Sequence, residues 1–164
     1  MKNLLWTINV GQGVIDCSLN PDEETVIAGD VSGKAIIADY SGKIVETYKF
    51  PMPIWGVDIK DDIRTIALAS KKPSAGSLTI IKEKKVIFEK DVDTPVWDVL
   101  IAGNKVVAST WGNGILVYDI GKSKFENISH KNSLFGINFN HNNVFINSSG
   151  DGTGLFDWSS ARFD

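Results

Sequence analysis

Cysteine and histidine are nearly absent from this chain. A single cysteine, Cys17, stands among 164 residues, so no intrachain disulfide can form, and its apolar neighbours predict a buried thiol. The two histidines, His130 and His141, have no Cys or Glu partner at metal-ligand spacing, which argues against a zinc site. Long apolar runs are missing too. Nothing approaches the roughly 18 to 20 residues that a membrane helix needs, and MKNLLWTINVGQG reads as a strand rather than a signal peptide. The expectation is a reducing, cytoplasmic setting with no membrane partner. An excess of one charge is also lacking. The net charge of -3 gives no global pull towards nucleic acid or anionic membranes. No Gly-x-Ser-x-Gly nucleophile motif occurs, and Gly11-Gln12-Gly13 lacks the helix that a phosphate loop requires.

What the chain does have is β pattern, repeated. The stretch 93–120, DTPVWDVLIAGNKVVASTWGNGILVYDI, alternates short runs of Val, Ile, Leu and Trp with Gly-Asn turns, the chemistry of hairpins. Aligned first strands are 13–20 (GVIDCSLN), 53–60 (PIWGVDIK), 95–102 (PVWDVLIA) and 133–140 (SLFGINFN). Their equivalent apolar positions, Ile15, Trp55, Trp97 and Phe135, lie 40, 42 and 38 residues apart. A period near 40 suits propeller blades or two-helix repeats. Helices are excluded because no segment shows an apolar stripe at i, i+3, i+4, i+7, while turn residues recur every 8 to 12 positions.

Second strands (25–29, 65–70, 105–110, 143–148) are uncharged apart from Lys105, as expected of strands covered on both faces. Third strands fall at 34–40, 77–82, 115–120 and 153–158. Fourth strands at 43–50, 85–91 and 124–130 collect the charge, which places them outermost. The last unit lacks a fourth strand, and segment 3–10 precedes the first unit in the fourth-strand phase. The predicted fold is therefore an all-β propeller of four-stranded antiparallel blades in a single unit, 1–164. Blades lie at about 12–50, 51–92, 93–130 and 131–164, the last completed by 3–10. Three arrangements fit: a closed four-bladed ring, half of an eight-bladed homodimer, or part of a longer propeller.

The whole chain resembles WD-repeat and quinoprotein-like β-propellers, most closely at 27–45 (IAGDVSGKAIIADYSGKIV) and 147–163 (NSSGDGTGLFDWSSARF). Where the WD family ends its third strand in Trp-Asp, this chain has Ala38-Asp39, Ile81-Lys82, Tyr118-Asp119 and Phe156-Asp157. Three of four keep the Asp and none keeps the Trp, and the family's Gly-His pair is absent. The resemblance implies an interaction platform; separately, no cofactor is expected.

Binding residues are expected on the face built from the turns between second and third strands and from the loops leading into first strands. Trp111 and Asn113 sit in one such turn, Lys71 and Lys72 in another, and Asp30 and Asp151 in the remaining two. Gln12 and Met52 lie in lead-in loops. An aromatic side chain in a loop either binds or folds back over its own blade; Trp111 is the leading candidate. Trp55 and Trp97 read as core. Asp16 and Asp98, two blades apart, face the axis. They could hold a hard cation, or each could accept a hydrogen bond from a neighbouring blade. Asp39, Asp119 and Asp157 read as turn caps. Lysines 71, 72, 82, 84, 85 and 90 form a basic stretch that deters edge pairing more readily than it grips nucleic acid. The expected function is a non-enzymatic protein- or peptide-binding scaffold. The alternatives are a metal-assisted, lactonase-like hydrolase using Asp16 and Asp98, and a sensor propeller within a larger complex.

Overall fold

The computed structural model describes residues 6–70, 74–112, 114–130, 133–140, 143–148, 152–157 and 162–163, with backbone alone described beyond residue 138. Among these residues there are sixteen strands, no helix, and therefore no helix long and apolar enough to cross a membrane. The strands form four antiparallel sheets of four, each a simple meander. The first holds β1 (Val14–Asn20), β2 (Thr25–Asp30), β3 (Lys34–Asp39) and β4 (Ile44–Lys49). The second holds β5 (Ile54–Lys60), β6 (Ile63–Ala69), β7 (Gly76–Lys82) and β8 (Lys85–Val92). The third holds β9 (Val96–Ala102), β10 (Lys105–Thr110), β11 (Ile115–Asp119) and β12 (Lys124–Ile128). The fourth holds β13 (Leu134–Asn140), β14 (Asn143–Ser148), β15 (Gly152–Asp157) and β16 (Arg162–Phe163).

Turn chemistry explains how such short strands hold register. Two copies of Asp-x-Ser-Gly-Lys occur, at Asp30–Lys34 and Asp39–Lys43, and they fold alike. The Asp30 Oδ1 accepts from Ser32 N, Ser32 Oγ and Lys34 N at 2.8, 2.7 and 2.9 Å. The Asp39 Oδ1 accepts from Ser41 N, Ser41 Oγ and Lys43 N at 2.9, 2.5 and 3.0 Å. Each turn needs a left-handed residue, supplied by Gly33 (φ 81) and Gly42 (φ 88). Asp119 caps its own turn by accepting from Lys122 N at 3.0 Å, so the turn-capping role read from the sequence holds for Asp39 and Asp119. Asp157 lies outside the described side chains.

Sheets stack face to face in chain order. Ile27, Ala35 and Ile37 of the first sheet pack against Ile54, Val57, Ile59, Ile66 and Leu68 of the second. Ala67, Leu78 and Ile80 of the second meet Val96, Val99, Ile101, Val106, Ala108 and Leu116 of the third. Val107, Ile115 and Val117 of the third cover Leu134 of the fourth. Burying a side chain of this size contributes about 1.5–3 kcal/mol, so these interfaces hold the molecule together. Burial is nearly complete along β6, β7, β10 and β11 and poor along β4, β8 and β12. In the first three sheets burial thus falls from the middle strands to the charged fourth strand.

Four details depart from the sequence reading. First, the fourth position of the last sheet is filled by β16, with Phe156 opposite Phe163 and Asp157 opposite Arg162, while residues 6–10 form no strand. A partner a few residues along the chain closes a far shorter loop than one from the opposite terminus. Residues 6–10 instead lie against the first sheet, where Trp6 Nε1 donates to Tyr40 O at 2.7 Å and the indole sits on Gly42. Second, β6 begins at Ile63 and so contains a charge, Arg64. Arg64 is nearly buried, and its Nη2 lies 3.0 Å from Glu46 Oε1 of the first sheet. Third, Cys17 is exposed, not buried, because it faces away from the second sheet on the free side of β1. Fourth, Trp55 and Trp97 are only partly buried.

Candidate functional site

All four first strands carry a bulge at the same place. The register slips between Val14 and Asp16, between Ile54 and Gly56, and between Leu134 and Gly136, and in the third sheet Ser109 pairs with Asp98 while Thr110 pairs with Val96. The residues left over are Ile15, Trp55, Trp97 and Phe135, the same positions that define the sequence repeat. A bulge re-aims its extra side chain. Here the effect is collective, because these four side chains, with Asp16 and Asp98, line one cavity of about 260 Å³.

The aromatic residues form a continuous wall. Trp55 meets Trp97 edge-on, with centroids 4.3 Å apart and planes at 89°. Trp97 also contacts Phe135 at 6.2 Å. Trp111 leans in from the β10–β11 turn, 5.7 Å from Trp97 and 5.6 Å from Phe135. Its backbone is fixed from both sides: Trp111 N donates to Pro95 O at 3.0 Å, and Trp111 O accepts from the Thr94 hydroxyl. Trp111 therefore does fold back, yet its ring stays 45% exposed, as do Ile15 and Phe135 at 41% each. The wall is open to solvent. Among the described residues, the indole nitrogens of Trp55 and Trp97 are buried and have no protein hydrogen-bond partner, and ring contacts help hold these side chains.

Carboxylates complete the site, and each ties its sheet to the next. Asp16 accepts from Cys17 N at 2.8 Å and, across the sheet boundary, from Val57 N at 2.9 Å. Asp98 accepts from Val99 N at 2.8 Å and from Ile137 N at 2.9 Å. The same clasp recurs at Asp58, a residue not singled out in the sequence. Its Oδ1 accepts from Ile59 N at 2.9 Å and Ser18 Oγ at 2.6 Å, and its Oδ2 accepts from Ile101 N at 2.7 Å. Burial raises the pKa of Asp16 and of Asp98, against the lowering pull of these N–H groups. The charge of Asp58 adds to the rise at Asp16, and the charges of Asp16 and Asp58 add to it at Asp98. Two carboxylates thus line the cavity close enough to influence one another.

The loop residues expected to bind are scattered in fate. Asp30 is fully buried, and its Oδ2 accepts from Gln12 N at 3.0 Å. Burial works to raise its pKa, but the N–H groups of Gln12, Lys34 and Ser32 and the Ser32 hydroxyl together hold it at about 2. Gln12 is exposed and touches this clasp through its backbone. Met52 packs on the cluster between the first two sheets. Lys71, Lys72, Asn113 and Asp151 lie outside the described residues. Among the described residues no group of three or more His, Cys, Asp and Glu side chains could hold a metal ion.

No family model matches the chain, and no curated protein matches it. Solved structures do. The chain is similar to the computationally designed Ika4 protein, with a TM-score of 0.78, 14% identity, and coverage of 96% of this chain and 99% of that one. It is also similar to the computationally designed Ika8 protein, with a TM-score of 0.72, 13% identity, and coverage of 85% of this chain and 45% of that one. At these identities the likeness concerns the fold alone.

Proposed function

We propose that the four sheets are the blades of one propeller and that the protein is a non-enzymatic binding module, holding a segment of a protein partner at the bulged end of its first strands. The observation that carries this reading is the shared cavity. One side chain from each of four repeated bulges lines it, and the half-exposed Trp111 packs on two of them. Partly exposed, mutually packed aromatic residues around a pocket are the usual composition of an interaction hot spot. The stacking of the sheets in chain order, first on second, second on third and third on fourth, supports the blade reading.

A hydrolase centred on Asp16 and Asp98 has less support. Both oxygens of each carboxylate already accept backbone N–H groups, and the walls around them are Trp, Phe and Ile. The test is selection from a random peptide display library on the purified chain, with Trp111→Ala as comparator. Peptides that bind the wild type and lose about tenfold or more with the variant are expected, the scale of a hot-spot aromatic. Failure to enrich any peptide, or peptides indifferent to Trp111→Ala, would overturn the reading.

A further inference from the structure

We infer that the cavity takes an organic cation, a quaternary or methylated ammonium group carried by the partner. This rests on the reading of the cavity as the binding site and goes further by naming the chemistry it selects. Three observations carry it. Trp55, Trp97 and Phe135 line the cavity and Trp111 packs on Trp97 and Phe135 beside it, with centroid separations of 4.3 to 6.2 Å and planes inclined at 41 to 89°. A cation within about 6 Å of such rings is attracted by their quadrupoles, most strongly where water is excluded. The floor supplies two carboxylates, Asp16 and Asp98, and no described Lys or Arg lines the cavity to neutralise them.

The third observation favours one kind of cation. Each oxygen of Asp16 and Asp98 already accepts one backbone N–H, which leaves it reduced acceptor capacity, and the side chains of Ile15, Trp55, Trp97 and Phe135 add no acceptor. A primary ammonium brings three donors and needs an acceptor for each once it leaves water. A methylated or quaternary ammonium brings few or none. It gains from the carboxylate charges at a distance and from the ring faces directly, and it gives up less hydration on entering. Ile15 completes the lining with an apolar surface suited to methyl groups.

The experiment titrates the purified chain with choline and, separately, with its uncharged isostere 3,3-dimethylbutan-1-ol, by calorimetry and by the indole N–H signals of Trp55 and Trp97. Choline should bind at least about tenfold more tightly than the isostere, which is the scale of desolvated cation–π attraction. Trp111→Leu, at a half-exposed site that tolerates it, should weaken choline by about tenfold while leaving the isostere nearly unchanged. Equal binding of the two compounds would make the cavity an apolar pocket and overturn the inference, as would choline binding unaffected by Trp111→Leu. No choline binding, alongside selected peptides that still need Trp111, would sink the cation inference alone. If those peptides fail as well, the cavity is not the binding site at all.

Discussion

Asp58→Ala tests the claim that carboxylate clasps, as well as apolar contact, hold the sheets together. The substitution removes the acceptor for Ile59 N, Ser18 Oγ and Ile101 N, and so loosens three sheets at once. Hydrogen bonds to a charged group are worth about 1.5–3 kcal/mol each, and a buried donor left unmade costs about 1–3 kcal/mol. The Ser18 hydroxyl can turn to water, but the two amides cannot, so the expected loss is about 3–5 kcal/mol. Against a total of about 5–15 kcal/mol, that is a large share. Asp58→Asn keeps one acceptor oxygen and should fall between. Ser18→Ala should cost about 1 kcal/mol and add little on top of Asp58→Ala, because the partner is already gone. Urea unfolding followed by tryptophan fluorescence measures all four, with midpoints shifting at constant slope. A loss below about 1 kcal/mol for Asp58→Ala would show that water replaces the clasp freely and that apolar packing alone joins the sheets.

Two further outcomes follow from glycine geometry and from charge. At Gly56 a Cβ would lie 2.8 Å from Asp98 Cα and 3.0 Å from Val99 N, both backbone of the next sheet, so Gly56→Ala must part β5 from β9. A loss of about 3 kcal/mol is expected by urea titration. Gly103→Ala, with open space around it and a φ of 61, should cost only about 1 kcal/mol of left-handed strain, and equal losses would refute the argument. The pH dependence has a defined sign. The folded pKa of Asp30, about 2, lies below its ordinary 3.8. Its contribution is therefore complete above 3.8 and is lost as pH falls through 3.8 towards 2. Asp16 and Asp98, raised by burial, act oppositely and lower stability as pH rises from 3.8 through their folded values. Asp30→Asn should flatten the acid limb of the unfolding midpoint, and an unchanged limb would mean that the turn clasp is not what acid dissolves.

Strand positions were legible in the sequence because three signals agreed: alternating Val and Ile, turn residues between runs, and a repeat near 40. The same alignment set Asp16 and Asp98 at equivalent positions, and both line the one cavity. The bulge was not legible, since one extra residue leaves no mark in a period-two pattern except that the equivalent positions all carry bulky apolar side chains. That regularity was present at Ile15, Trp55, Trp97 and Phe135, and for Trp55 and Trp97 it supported a core assignment when the side chains in fact line a cavity. Asp58 was missed because only one column of the repeat was compared. It stands two residues after Gly56 and performs there what Asp16 and Asp98 perform in their own strands. The Arg64–Glu46 pair is tertiary, joining residues 18 apart across two sheets, and no local pattern announces it.

The two columns read together show a period of two sheets, and this bears on closure. β5 presents Gly56 and Asp58 to β9, where Gly56 closes on the Asp98 backbone and Asp58 accepts from Ile101 N. The corresponding residues of β13 are Gly136 and Asn138. The corresponding residues of β1 are Asp16 and Leu19. β13 therefore carries the surface that β5 turns forward, and β1 carries the surface that β9 offers to receive it. Both are uncovered here: Leu19 is 61% exposed, and Asn138 and Cys17 are exposed. If the proposed ring closes, the Asn138 amide oxygen takes the Leu19 N–H as Asp58 takes that of Ile101, and Leu19 becomes buried. Hydrogen exchange then shows Leu19 N–H protected to the same degree as Ile101 N–H, in a particle of 17.9 kDa. Protection that disappears on dilution, with twice that mass at high concentration, would place the receiving surface on a second copy. A Leu19 amide exchanging at the rate of an open loop under all conditions would refute closure altogether.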